Sequence, residues 1–591
     1  MEKWVEIRRP ADFKKMASDY GISPIVARIL RNRELSSPSE INAYLSPGGD
    51  ALHDPMMLDG MDRVIFVLKD KIKNGFPIRI IGDYDVDGIC STYILKKGLS
   101  FFGAVTDYVI PHRVEDGYGI NIKLIKDAYD GGIDTIVTCD NGISAAEQTE
   151  YAKSLGMTMV ITDHHEVPFD IDESGEKVYK IPDADACVDP KLPGCAYPFS
   201  GICGAYVAFQ TICAYAKDAG LESSKEFLDL KAELLEFAAL ATVCDVMELK
   251  DENRSLVCIG SRNMMNSKNI GMRALINVTG MQDRVLTPYH MGFVIGPCLN
   301  ASGRLDTSLR AMELFMEKDP DEALKKAEAL KALNEERKEM TLTETEKAFS
   351  IVDKMGTPDK VLVVYLPDCH ESLAGIIAGR VREKYVRPTF VITKTDKGLK
   401  GSGRSIEAYD MYEALTKVKE HLKKFGGHKL AAGITLSEDS PESFRKALND
   451  TCELTEKDFC ETVRIDMELP FEYADLSLAR ELLKLEPFGT GNEKPLFALR
   501  HVTIVSGCRI GKNRNVGKYK VRNDYGRVYE MIYFGDLDAF EDFVAGIYDE
   551  NTAKRLHDNE PVEVVLDICY QLEINSFRGT DSVQIQMKHY R

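Results

Sequence analysis

None of the chain's 14 cysteines stands in a C-x-x-C spacing, which argues against a thiolate zinc site and against a disulfide framework. Cysteines scattered singly fit a reducing cytoplasm, the expected location. There is no run of about 18 apolar residues. The N-terminus, Met1-Glu2-Lys3-Trp4, lacks a basic stretch leading into an apolar one, so neither membrane insertion nor secretion is expected. Positive charge is also short, with 75 Lys and Arg against 94 Asp and Glu and a formal charge of -19. That balance excludes a basic coat, so any nucleic-acid site must be local. No internal repeat is evident.

What is present is ordinary globular material, 44% hydrophobic and 29% charged, so composition alone requires no large disordered part. At 591 residues the chain exceeds a single core, which stops growing near about 250 to 300 residues, and three or four domains are expected. Between 77 and 165, short β-branched runs alternate with helical stretches, the pattern of parallel βαβ units. Strands are predicted at Ile78 to Ile81, Thr106 to Ile110, Asp134 to Thr138 and Met157 to Thr162. Helices are predicted near Ser91 to Phe102, Asn121 to Tyr129, Ser144 to Leu155, Gly204 to Ala219 and Lys231 to Cys244. From Asp319 to Met355 an Ala, Glu, Lys and Leu-rich stretch reads as a long connecting helix. A second α/β unit begins at Val361 and runs to about Leu436, and beyond Val463 the alternation changes to that of a small β-barrel.

Three acidic features fall directly after predicted parallel strands: Asp83-Tyr84-Asp85-Val86-Asp87-Gly88, Asp140-Asn141-Gly142 and Asp163-His164-His165. Ligands of open α/β sheets bind in the crevice outside the carboxyl ends of the strands, so these segments should converge. Asp245 adds a fourth carboxylate segment. Singly, a D-x-D is usually a polar turn and a loop histidine a bystander. Together they can supply two hard divalent ions, Mn²⁺ or Mg²⁺, held about 3.5 to 4 Å apart for in-line phosphodiester hydrolysis.

These segments, in this order, resemble the motifs of the DHH phosphoesterases. The resemblance implies metal ligation by Asp83, Asp85, Asp87, Asp140, His164 and Asp245, with Asp140 bridging both ions and His165 touching the scissile phosphate. Further segments are similar to the RecJ exonucleases within that family: Pro111-His112-Arg113, Gly117-Tyr118-Gly119, Asn300-Ala301-Ser302-Gly303-Arg304, Gly401-Ser402-Gly403-Arg404, Phe425-Gly426-Gly427-His428 and Glu486-Pro487-Phe488-Gly489. The implied architecture is α/β. A doubly wound parallel-sheet DHH domain (51–318) follows an N-terminal extension (1–50). A connecting helix (319–355), a smaller α/β DHH-associated domain (356–450) and a C-terminal OB-fold barrel (463–591) complete it.

The resemblance implies a 5′-to-3′ exonuclease that releases 5′-mononucleotides from single-stranded DNA, in recombination and repair. Partners such as a RecQ-type helicase and single-strand-binding protein would accompany it. Arg113, Arg304, Ser402 and Arg404 would hold the 5′-phosphate, where forked guanidinium cations suit phosphate oxygens. His370, Arg380, Gly426, Gly427 and His428 would touch the strand. At Ser372-Leu373 the family usually has Gly-Val, which puts fine strand contacts in doubt. Arg509 to Arg522 is an acid-free basic run, and its Lys512, Arg514, Lys518, Tyr519 and Lys520 are expected to bind and stack the strand, against the alternative of a solvated hairpin. Two other functions share the acidic motifs. One is a DHH phosphodiesterase for short oligonucleotides or cyclic dinucleotides, which typically lacks the terminal barrel. The other is a non-catalytic replication scaffold, whose relatives have lost ligands that stand here.

Overall fold

A computed structural model describes residues 2–356, 358–437, 440–523, 525–577 and 579–591. The chain divides into two units, residues 48–460 and residues 1–47 with 461–591.

The larger unit is built on a five-stranded parallel sheet. In space its strands run Thr106–Val109, Ile78–Ile81, Thr135–Cys139, Thr158–Thr162 and Ala186–Val188. Numbered along the chain this is the order 2-1-3-4-5, so the direction of winding reverses between Ile78–Ile81 and Thr135–Cys139. A doubly wound sheet opens its ligand crevice there. The central strands Thr135–Cys139 and Thr158–Thr162 are near-continuous apolar and Thr runs because helices cover both faces. On one side Met61–Lys73, Val86–Phe101 and Gly204–Asp218 enclose a core with Ile80, Tyr93 and Phe209. On the other, Ile122–Asp130 and Ala146–Ser154 close over Ile81, Ile136 and Met159. The strand Ala186–Val188 was not anticipated, because three residues carry too little periodicity to read.

The long helix spans Pro320–Asp353, capped by Asp319, which accepts the amides of Asp321 and Glu322. It leads to a mixed five-stranded sheet ordered Leu422–His428, Ala431–Leu436, Gly398–Arg404, Thr389–Thr395 and Leu362–Tyr365.

In the smaller unit five strands close into a barrel: Phe497–Ile510, Val516–Arg522, Val528–Tyr533, Thr580–Tyr590 and Val564–Phe577, the last pairing back to the first. The N-terminal helices Pro24–Asn32 and Pro38–Leu45 belong to this unit, with Val26, Leu30, Ile41 and Tyr44 in one core with Leu485, Phe497 and Tyr570.

The barrel corrects one expectation. Tyr519 is not a stacking platform: it is fully buried, and its hydroxyl meets His557 Nε2 at 2.9 Å. Successive strand side chains alternate faces, so Lys518 and Lys520 point outward only because Tyr519 points into the barrel. Part of the basic run is also neutralised, since Arg509 pairs with Asp538 and Glu541, Lys518 with Glu530 and Arg522 with Glu563. Lys512, Arg514 and Lys520 remain exposed.

Candidate metal centre

The first acidic segment leaves the end of Ile78–Ile81 and turns at once into the helix Val86–Phe101. Asp85 is the N-cap of that helix, with Oδ1 accepting the amides of Asp87 at 2.9 Å and Gly88 at 3.1 Å. One carboxylate oxygen is thereby committed to the backbone, which fixes the other in direction. Asp87, two residues on, is buried and accepts the amides of Gly204 at 2.8 Å and Ala205 at 2.7 Å. These are the first amides of Gly204–Asp218, unpaired by any helix and able to support a negative charge. Gly204 is required here, because a Cβ would lie 2.7 Å from Asp140 Cβ and 2.9 Å from its Cα.

Asp140 follows the neighbouring strand in a left-handed conformation, φ 60°. Its Oδ1 lies 3.1 Å from His164 Nε2, which also stands 3.5 Å from Asp87 and 3.8 Å from Asp245. His164 Nδ1 lies 3.1 Å from the carbonyl of Ile202. A carbonyl can only accept, so Nδ1 carries the proton, while burial lowers the ring's pKa and keeps it neutral. Nε2 is then a lone pair aimed at carboxylate oxygens. Acceptors facing acceptors at this range need a cation between them.

The carboxylates say the same. Burial first, then their mutual repulsion, raises the pKa of Asp140, and Asp245 is pushed up to about 8 by burial and by Asp87 and Asp85. Asp83, almost fully buried, is raised by burial and by Asp85. The ligand atoms gather in three overlapping groups, each within 4.8 Å: Asp83, Asp85 and Asp140; Asp87, His164 and Asp245; Asp140, His164 and His165. Asp140 is common to the first and third, and His164 to the second and third. Oxygen-rich sets with one imidazole fit two Mn²⁺ or Mg²⁺ ions.

Asp163 and Tyr118 stand in the quoted motifs, but the sequence assigned them no role. Asp163, buried beneath the histidines, accepts the amides of His164 at 2.7 Å and Ile143 at 2.9 Å, and the His165 ring at 2.7 Å. Its burial opposes the charge, yet these bonds hold its pKa below the ordinary range. His165, half exposed, is driven the other way: burial disfavours its charge, but Asp163 raises it to about 9. The Tyr118 hydroxyl donates to the Asp140 carbonyl at 2.9 Å and reaches the His165 ring at 3.2 Å. A helix N-terminus beginning in Gly204-Ala205 gave no chemical signal in the sequence, since glycine bears no functional group.

Beside the acids stands a group of arginines. Arg113 lies over the Tyr84 ring at 3.9 Å, with its Nε buried and unbonded among the described residues. Arg304 donates to the Ser372 carbonyl at 2.5 Å, and Arg404 to the Gly403 carbonyl at 2.8 Å. Burial, then Arg113, Arg337 and Arg404, depress Arg304 to about 9. Guanidinium groups crowded this way suit a polyanionic ligand. Ser372, which departs from the family's Gly-Val, joins the segment before Ala374–Tyr385 to the helix Gly296–Leu305. Its Oγ lies 2.7 Å from His370 Nδ1 and donates to the Arg304 carbonyl at 3.1 Å.

Ser402, two residues before Arg404 on the same strand face, lines a cleft of about 350 Å³ with Lys400, Phe425 and Gly426. Gly427 has φ 140°, and a Cβ there would meet the Ala431 carbonyl at 2.3 Å, so the strand end before the exposed His428 needs glycine. Arg380, on Ala374–Tyr385, is close enough to Arg337 to lower that group, after burial.

Family models agree in chain order: the DHH family N-terminal domain matches residues 77–242, the DHHA1 domain 359–454 and the RecJ OB domain 465–589. The "Single-stranded-DNA-specific exonuclease RecJ" of Escherichia coli is 30% identical over 603 residues, covering 99% of each chain. The chain belongs to the RecJ family. The Bacillus subtilis RecJ of the same description is 31% identical over 550 residues, 92% of this chain and 67% of that one. In fold, the RecJ of Thermus thermophilus, solved in complex with Mn²⁺, superposes with a TM-score of 0.80 at 24% identity, covering 100% of this chain and 79% of that one. A manganese-bound exonuclease RecJ superposes with a TM-score of 0.57 at 29% identity, over 66% of this chain and 94% of that one.

Proposed function

We propose that this chain is a metal-dependent, single-stranded-DNA-specific exonuclease that removes 5′-mononucleotides in the 5′-to-3′ direction. The observation that carries it is the acceptor-only cluster of Asp83, Asp85, Asp87, Asp140, His164 and Asp245 beside the arginines Arg113, Arg304 and Arg404. A pair of divalent ions bound there would supply an activated water and stabilise charge on the phosphoryl oxygens. Asp140 groups with Asp83 and Asp85, and its Oδ1 lies 3.1 Å from His164 of the other group, so it would be placed to serve both ions. His165, protonated below pH about 9, donates to a non-bridging phosphate oxygen. Tyr118 braces the Asp140 carbonyl and the His165 ring.

The arginines, with Ser402, hold a terminal 5′-phosphate. His370, Arg380, Gly426, Gly427 and His428 contact the strand, and Lys512, Arg514 and Lys520, exposed on the barrel, add phosphate contacts. The complete ligand set disfavours a degenerate scaffold, and the barrel disfavours an enzyme for very short substrates. Because the substrate is single-stranded, duplex ends must be opened first. That need supports a RecQ-type helicase and single-strand-binding protein as partners, in recombination and repair. A cytoplasmic location is supported by 14 free cysteines and by the absence, among the described residues, of any helix long and apolar enough to cross a membrane.

The test is time-resolved digestion of oligonucleotides labelled at either end. Label should leave the 5′ end first with Mn²⁺ or Mg²⁺ and not at all with chelator. Asp140→Ala should retain its far-ultraviolet dichroism and lose hydrolysis. Release from the 3′ end, or activity after thorough metal removal, would overturn the proposal.

A further inference from the structure

Near the metal ligands the larger unit leaves an apolar patch in water. Val246 is 65% exposed, Val285 69%, Tyr289 64% and Phe293 69%. Tyr289 and Phe293 are four residues apart and stack on each other, with ring centroids at 5.2 Å and planes at 24°. Their turn includes the π-helical segment Met291–Ile295, a conformation concentrated at functional sites. Large apolar groups exposed together, rather than singly, mark a binding surface.

The location of the pair says what binds. The π turn packs on the residues just before Asp245: Cys244 Sγ donates to the Met291 carbonyl at 3.7 Å, and a Cβ on Gly296 would touch that sulfur at 2.3 Å. The turn runs on into the helix Gly296–Leu305. At its far end Gly303 approaches the Tyr84 carbonyl so closely that a Cβ would lie 2.6 Å away, and Arg304 follows. From Phe293 to Arg304 is about 16 Å at the helical rise of about 1.5 Å per residue. This helix therefore runs beside the acidic cluster from Asp245 to the Asp85 segment. The arginine group stands at one end and the aromatic pair at the other. Arg284 is exposed and near enough to His290 to lower that ring, after burial, so a cation also stands beside the pair.

We propose that Tyr289 and Phe293 form a base-stacking subsite for the single strand beyond the scissile phosphate. The inference rests on the function proposed above. A terminal phosphate held at Arg304 and a scissile phosphate at the metals leave the following nucleotides on the Asp245 side. Aromatic faces beside a cation are the chemistry of sequence-tolerant single-strand binding. Continuity with the metal centre favours the strand over a protein partner.

The experiment measures kcat and KM on 5′-phosphorylated oligodeoxynucleotides of increasing length for wild type, Phe293→Ala, Phe293→Trp and the Tyr289→Ala/Phe293→Ala double variant. On long strands the double variant should raise KM about tenfold, the scale of one lost base–aromatic stack, with kcat maintained. Its preference for long strands over the shortest cleaved oligonucleotides should shrink accordingly. Phe293→Trp should keep that preference. Abasic sites beyond the scissile position should reproduce the loss in wild type and add nothing in the double variant. An equal loss on all lengths would mean that Asp245 had been disturbed and would overturn the proposal. So would an unchanged KM throughout, the result expected of a protein-docking patch. Wild-type digestion from the 3′ end would instead overturn the parent reading.

Discussion

Asp163 separates two adjacent histidines into opposite protonation states. His164, buried against the Ile202 carbonyl, is kept neutral, while His165, bonded to Asp163, is raised to about 9. A raised histidine pKa means the cation is fully present well below it and is lost as pH rises through it. The rate at saturating DNA should therefore fall as pH rises past about 9. Asp163→Asn removes the charge that raises His165 and weakens the seat of both histidine backbones. We expect the alkaline limb of the pH–rate profile to move toward the ordinary histidine range. The rate at neutral pH should drop about 10- to 100-fold, as for other partners that orient ligands. A limb that stays in place would show that His165 does not act through its proton. The importance of His164 and His165 is legible from two histidines after an apolar run. Their division of labour is not, because it depends on a carbonyl 38 residues away.

At the scale of elements, the site is assembled by helix starts as much as by strand ends. The amides of Gly204 and Ala205 hold Asp87. The space beside Gly204 is bounded by Asp140 itself, backbone included, so the clash of a new Cβ cannot be relieved by rotating a side chain. Gly204→Ala should leave the fold in place, as judged by dichroism. It should weaken Mn²⁺ binding, measured by calorimetry, and lower activity by at least about tenfold, since ligand geometry controls metal chemistry. Unchanged metal affinity would count against the geometry.

The barrel hairpin gives the second prediction at this scale. Replacing Lys512, Arg514 and Lys520 with Ala should lower the log-log salt slope of single-strand binding by about 2, at about 0.7 per phosphate contact. Tyr519→Phe should leave that affinity unchanged and cost about 1 kcal/mol of barrel stability through the lost bond to His557. A fall in DNA affinity on Tyr519→Phe with stability intact would restore Tyr519 to the binding face. Period-2 alternation through Lys518-Tyr519-Lys520 already held the signal that this ring points inward.

Across the whole molecule each unit carries its own core, and within the larger one the arginines of three distant segments gather beside the acids. Arg404→Ala should weaken the preference for 5′-phosphorylated over 5′-hydroxyl ends about tenfold, as expected for one charge-assisted contact. Rates on the two ends, measured in competition, decide it, and an undiminished preference would remove Arg404 from the pocket. The sequence by itself determined the parallel strands, the long helix and the positions of the acidic segments at the strand ends. Buried strands read as β-branched runs, and the acidic segments follow their carboxyl ends, where open sheets bind ligands. Only the tertiary structure decided which carboxylates gather within 4.8 Å of one another and that Gly204 must lack a side chain. It likewise placed the first 47 residues with the barrel and left Phe293 in water. Each of these depends on distances between segments far apart in the chain, and local periodicity carries no information about them.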